Sequence, residues 1–180
     1  SDGRSKDPTL VDWLVEKYPT IAKVGEQSDP YRPGIVHRLD KDTSGVLIVA
    51  LNQKSFEYLK NQFQKHTVTK EYLALTYGNF AKDGGTIDKP IGRSPKDLRL
   101  RDASSQAKEP KREAKTEYKV MERFVSPSHK NDYSLLSVMP QTGRTHQIRV
   151  HMKSISHPVV CDRLYAKGKV CPVGLTRQGL

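Results

Sequence analysis

The sequence predicts an α+β fold in which a mainly antiparallel or mixed β-sheet carries flanking helices. Three observations predict it. Stretches with apolar residues three and four apart are interspersed with partly alternating stretches rich in Tyr, Leu and Thr. The joins are turn-like, as at Asp83-Gly84-Gly85, and lack the regular long crossovers of a parallel sheet. A length of 180 residues without internal repeats or low-complexity tracts suits a single domain able to bury a core of useful size.

Taken in order, Thr9 can cap a helix whose Asp12 lies three residues on, a variant of the capping box. Leu10, Val11, Leu14, Val15 and Tyr18 form its apolar stripe, and Pro19 ends it. Gly25 to Gly34, with Pro30 and Pro33, reads as a loop feeding Ile35 to Asp40. Asp42 to Gly45 then turns into an apolar strand, Val46 to Leu51. Ser55 starts a second helix with Phe56, Leu59 and Phe63 on one face. Thr69 to Tyr77 reads as a strand that the Asp83-Gly84-Gly85 turn folds onto Thr86 to Ile91 as a hairpin. Residues 92–113 are polar, charged and interrupted by Pro95 and Pro110, which predicts a long basic polar loop or irregular ribbon. Strands follow at Ala114 to Phe124 and Tyr133 to Pro140, with a polar turn around Ser126 to Asn131 between them. Thr142-Gly143 breaks the chain before a short helix near Thr145 to Ser154.

Charge narrows the function. Thirty-one Lys and Arg against 20 Asp and Glu leave +11, which favours an anionic partner, although composition alone leaves nucleic-acid binding and a solvated basic surface kept for solubility equally open. The excess is concentrated. Gln141 to Leu180 holds seven cations and one acid, Asp162, and Gly92 to Val120 holds nine cations and five acids. The longest uncharged apolar run, Val46 to Leu51, is far below the roughly 20 residues that span a bilayer, and no basic-then-apolar leader opens the chain. Membrane spanning and export are not expected, and a cytoplasmic location is. Cys161 and Cys171 are too few for a disulfide framework, so both are expected as free thiols in a reducing compartment.

Two constellations carry chemistry. The first is Gly34 to Gly45, where an extended segment puts Arg38 and Asp40 on one face and His37 and Leu39 on the other. Its plainer reading is a turn in which Asp42, Thr43 and Ser44 bond nearby backbone. The second is Gln141 to Met152, where polar side chains are packed more densely than structure alone requires. A zinc site built from His146, His151, His157 and the cysteines fits poorly, because His146 and His151 are five apart and the cysteines form no short pair. Neither thiol has an activating context, and no glycine-rich phosphate loop is present, so no metal and no nucleotide cofactor is expected.

The strings HRLDKDTSG at His37 to Gly45, KEYLAL at Lys70 to Leu75 and QTGRTHQIRVHM at Gln141 to Met152 resemble the three ordered signatures of RluA-type pseudouridine synthases. Pro90-Ile91-Gly92-Arg93, Ala114 to Tyr118, His157 to Asp162 with Leu164-Tyr165, and Arg177 to Leu180 fit as well, so the likeness runs from about Tyr31 to the end. Cys161 stands where the family usually has Gly. The resemblance implies a pseudouridine-synthase-like catalytic domain, of which residues 1–180 are an internal piece truncated at both ends.

The same resemblance implies isomerisation of a uridine in structured RNA, ribosomal RNA favoured over transfer RNA, by a monomer that needs no cofactor. It assigns Asp40 as nucleophile or base, Arg149 as the cation that keeps it ionised, and Tyr72 as the ring that stacks on uracil and reaches the C5 proton. Arg38 is similar to the family arginine that fills the space left by a flipped base and contacts RNA. Arg144 and His146 are expected to support or contact phosphate, Lys167 and Lys169 of the basic strip to bind RNA, and Leu39 and Ile148 to floor the pocket. The competing class is a non-catalytic RNA-binding module derived from a truncated synthase, against which Asp40, Tyr72 and Arg149 stand together. A hydrolase using Asp40 and His37 fits less well, since the two face opposite ways in an extended segment.

Overall fold

The computed structural model describes residues 7–29, 31–97, 99–125 and 132–180. The chain divides into two compact units, Ser1–Leu39 with Gly45–Val68, and Asp40–Ser44 with Thr69–Leu180, where the sequence reading treats it as one partial domain. Pro30 and the turn expected at Ser126 to Asn131 lie outside the described residues.

In the first unit α1 (Leu10–Lys17) has the expected reciprocal cap: the Asp12 N–H donates to Thr9 Oγ1, and the Thr9 N–H to Asp12 Oδ2 at 2.7 Å. A 3-10 turn, Pro19–Lys23, follows. Helix α2 (Gln53–Gln64) begins earlier than Ser55, because Asn52 caps it by accepting the Ser55 N–H at 2.9 Å. Leu14, Ile21, Val24, Ala50 and Phe56 form the core of this unit. The strand expected at Val46 to Leu51 is absent, reduced to one antiparallel bridge between Ile35 and Val49. With no neighbouring strand to extend that ladder, Val46 is left 84% exposed. Gly34 is required here: its φ is +68°, and a methyl on it would sit 2.6 Å from Ile21 Cδ1.

The second unit contains β1 (Tyr72–Tyr77), β2 (Gly84–Asp88), β3 (Ile91–Arg93), β4 (Arg101–Asp102), β5 (Lys108–Arg112), β6 (Lys115–Phe124), β7 (Tyr133–Pro140) and α3 (Gln147–Ser154). A four-stranded antiparallel sheet runs β1-β7-β6-β2, with Tyr72 opposite Val138 and Ala74 opposite Leu136. The inward row Ala74, Ile87, Val120, Leu136 and Val138 packs on Ile148 and Met152 of α3. The expected β1-β2 hairpin does not form: β2 pairs with β6 instead, because β7 occupies the inner edge of β1. Residues 92–113, expected as a long loop, carry most of a second antiparallel sheet, β4-β3-β5.

The other edge of β1 is laced to the chain's end. Val160 N–H donates to the Leu75 carbonyl at 2.8 Å, Leu75 N–H to that of Gly179 at 2.8 Å, and Gly179 N–H to that of Val160 at 2.9 Å. The two cysteines are not free thiols, since Cys161 and Cys171 are joined in a disulfide. Cys161 has φ +58°, a left-handed conformation that glycine adopts most easily, which gives a physical reason for the glycine usual at this position in the family it resembles.

Candidate active site

All of the site described next lies in the second unit. The turn after Asp40 is closed by the Thr43 N–H donating to the Asp40 carbonyl at 3.0 Å. It is tied to the chain's end by the Ser44 N–H on the Leu180 carbonyl at 3.1 Å and by Gln178 Nε2 on Thr43 Oγ1 at 2.6 Å. Those contacts fix Asp40 beside the segments that lace β1. Asp42 is exposed on the same turn.

Asp40 meets Arg149. Arg149 Nη1 donates to Asp40 Oδ2 at 2.9 Å, while its Nε and Nη2 donate side-on to Asp162 Oδ2 and Oδ1 at 2.6 and 2.9 Å. Asp162, whose side chain is fully buried, also accepts the Leu164 and Tyr165 N–H groups at 2.9 and 3.1 Å. The guanidinium is thereby locked by one carboxylate and presented to the other. Burial pulls the Arg149 pKa down, but the hydrogen bonds of Asp162 and then Asp40 outweigh it, and the net shift is upward. The Asp40 side chain keeps 18% of its surface exposed, and among the described residues its Oδ1 accepts no hydrogen bond. Tyr72, on β1, has its phenol pKa pushed up by burial and then by the Asp40 charge.

The loop before α3 is held by Gln147. Its Oε1 accepts from Thr142 Oγ1 at 2.6 Å and from the Arg144 N–H at 2.9 Å, and its Nε2 donates to the Lys115 carbonyl and Thr116 Oγ1, both at 3.0 Å. This arrangement sets His146 in a left-handed conformation, φ 58°, at the start of α3. His146 Nδ1 lies 2.8 Å from the Tyr165 hydroxyl, and its Nε2 lies 4.0 Å from Asp40 Oδ2. Burial, ahead of the opposing Asp40 charge, lowers the His146 pKa. Burial also pushes Tyr165 up to about 12.

The other predicted residues fall in separate places. Arg144 donates through Nε to the Glu113 carbonyl at 2.9 Å. Ile148 is buried in the main core, against which Tyr72 packs. Lys167 and Lys169 are exposed on the segment that the disulfide closes. Arg38, exposed, and Leu39, half-buried, belong to the first unit. So does His37, whose Nε2 accepts the Ile48 N–H at 2.9 Å and whose ring stacks on Phe63. That bond occupies the nitrogen a hydrolytic base would use. His151 bonds Thr116 and the Lys89 carbonyl, and His157 bonds the Tyr77 carbonyl.

Sequence reasoning gave no role to Asp162, Tyr165 or Gln147. A signal for Asp162 was present: it is the one acid among seven cations between Gln141 and Leu180.

The chain is 45% identical over 157 residues to an uncharacterized RNA pseudouridine synthase of Chloroflexus aurantiacus, covering 87% of this chain and 45% of that protein. It is 40% identical over 161 residues to the ribosomal large subunit pseudouridine synthase D of Borreliella burgdorferi, covering 89% and 46%. It therefore spans a little under half the length of these relatives. Among solved structures, human RNA Pseudouridylate Synthase Domain Containing 1 superposes with a TM-score of 0.78 at 31% identity, covering 95% of this chain and 65% of that one. The family model described as RNA pseudouridylate synthase matches residues 4–154. With the three ordered strings and the antiparallel α+β fold beside it, that match identifies the chain as a member of the RNA pseudouridylate synthase family, of RluA type.

Proposed function

We propose that the chain is the uridine-isomerising core of an RNA pseudouridine synthase, that Asp40 is its catalytic carboxylate, and that its substrate is ribosomal RNA. The observation that carries this reading is the Asp40–Arg149–Asp162 chain: a largely buried carboxylate, 18% exposed, held by a guanidinium that a second, fully buried carboxylate locks in place. RNA binding alone does not call for a carboxylate at a phosphate-binding surface, where it repels the phosphates, so Asp40 at such a surface favours a chemical role over a binding one. The ribosomal substrate is favoured by the name of the Borreliella relative.

The reaction breaks the uracil N1–C1′ bond, turns the base, forms a C5–C1′ bond and releases the C5 proton while N1 gains one, so atoms balance without a cofactor. Asp40 supplies the carboxylate that acts near C1′ or C6, and the Arg149 guanidinium orients it by donating to its Oδ2 at 2.9 Å. Tyr72 provides a ring for stacking on the uracil, and its phenol is protonated at neutral pH. A uridine within a helix reaches such a site only after leaving the stack, and Arg38 is the residue proposed to fill the space it vacates.

Tritium release from RNA labelled at uridine C5 tests the assignment. Asp40→Asn should abolish release while RNA affinity stays within a few fold, and Asp42→Asn should retain it. Near-normal release by Asp40→Asn, with loss in Asp42→Asn, overturns the role of Asp40. RNA binding by the unaltered chain with no release at all would favour the non-catalytic module.

A further inference from the structure

Beside the carboxylate site, a cleft of about 410 Å³ opens between the turn joining β3 to β4 and the segment after Asp162. Leu100, Leu164 and Tyr165 supply its apolar lining, and Lys96, Lys153 and Lys167 bring three ammonium groups. The one acid in the lining, Asp97, is already paired: Arg99 Nε and Nη2 donate to its two carboxylate oxygens at 3.1 and 2.7 Å. The lining is therefore cationic. Lys153 Nζ lies 5.6 Å from the Tyr165 ring centre, and the Arg149 guanidinium carbon lies 5.1 Å from it. Tyr165 thus belongs to both places, its ring to the cleft and its hydroxyl to His146, which faces Asp40.

An apolar floor with several ammonium groups matches one chemistry well. A nucleotide offers a flat base and ribose to the floor and a phosphodiester to the lysines. We propose that this cleft is a second nucleotide subsite, which seats the nucleotide next in the RNA strand to the uridine held at Asp40, with its phosphate among Lys96, Lys153 and Lys167. The inference rests on the reading of the chain as an RNA enzyme, and it adds a contact outside the reacting nucleotide. Tyr165, only 4% exposed, lies beneath the cleft and bonds His146 on its far side, so the subsite and the carboxylate site rest on one shared buried side chain. The lysines position the strand and the apolar floor prefers a nucleotide over a bare anion.

The test is an NMR titration of the ¹⁵N-labelled 180-residue chain with the dinucleotide pUpU and, separately, with inorganic phosphate. Saturable amide shifts at Lys96, Leu100, Leu164, Tyr165 and Lys167 with pUpU, reached at lower concentration than with phosphate, support the subsite. Lys96→Ala with Lys167→Ala should weaken pUpU roughly five- to tenfold, while Lys119→Ala on β6 leaves it unchanged. Equal binding of phosphate and pUpU shows an anion site only and overturns the proposal. So do pUpU shifts confined to other residues, or insensitivity to the double substitution. Tritium release by the unaltered chain separates the two readings: release without pUpU shifts at the cleft removes the subsite alone, and cleft shifts without release keep the subsite and remove the isomerase.

Discussion

The Tyr165 hydroxyl sits 2.8 Å from His146 Nδ1 and accepts the Arg101 N–H at 2.8 Å. With its pKa at about 12 the phenol keeps its proton at neutral pH, and the Arg101 N–H can only donate, so the phenol proton goes to Nδ1. His146 is then the tautomer with its proton on Nε2, the nitrogen 4.0 Å from Asp40 Oδ2. Long-range ¹⁵N–¹H correlation spectra of the chain should show an unprotonated Nδ1 and a protonated Nε2, and Tyr165→Phe should mix the two forms. A protonated Nδ1 in the unaltered chain contradicts the arrangement.

Histidine burial also sets a pH dependence. The pKa values of His146 and His151 are both lowered from 6.5, in each case first by burial. His151 is fully buried, and its Nε2 must donate to the Lys89 carbonyl at 3.0 Å. Below pH 6.5 the unfolded chain takes up protons at these rings that the folded chain refuses, so stability falls as pH drops through that window and is regained above it. The urea midpoint should be lower at pH 5.5 than at pH 7.5. An equal or higher midpoint at pH 5.5 would show that burial of these rings does not govern the response.

Local patterns were legible where the physics is local. The Thr9–Asp12 cap, β6 and β7 follow from side chains within a few residues of one another. Strand partners were not, because alternation in β1 and β2 states which face is buried but not which strand lies alongside, and β7 returns from 60 residues away to displace the hairpin. The sheet at residues 92–113 was hidden by composition: β5 is almost wholly exposed and charged, so no buried face announces it. The disulfide was hidden by spacing, since a count of two cysteines says nothing about a loop that brings their Cα atoms to 4.9 Å. At the site, the sequence gives Asp40 and Arg149 through recognisable strings, whereas Asp162 acts only through Arg149 and belongs to neither string.

Asp162→Asn tests that indirect role. The amide keeps the volume but replaces one acceptor oxygen with a donor, leaving Arg149 Nε or Nη2 facing an N–H group in a buried site. Removing one partner of such a pair costs roughly 3 to 5 kcal/mol, so a large drop in the urea midpoint is expected. In the fraction that folds, Arg149 loses its fixed orientation toward Asp40, and tritium release should fall well below that of unaltered protein at equal folded concentration while RNA affinity changes little. Loss of affinity matching the loss of release would instead make Asp162 part of the RNA-binding surface.

Salt dependence separates the two exposed lysines assigned to RNA. Lys167 lines the cleft beside Tyr165, while Lys169 sits with its ammonium 5.8 Å from the Tyr77 ring. Both lie on the segment closed by the Cys161–Cys171 disulfide, so they are presented on a constrained loop. Each phosphate contact contributes roughly 0.7 to 0.9 to the negative slope of log affinity against log salt. With a synthetic RNA hairpin as ligand, Lys167→Ala should reduce that slope by about one contact's worth, and Lys167→Ala with Lys169→Ala by about two if the strand runs on past the cleft to Tyr77. The same variants should leave the modified uridine unchanged, because phosphate contacts carry no base information. A slope unaffected by Lys167→Ala would place the RNA off this surface, and a shift in the modified uridine would make Lys167 a residue that sets the register of the strand over Asp40.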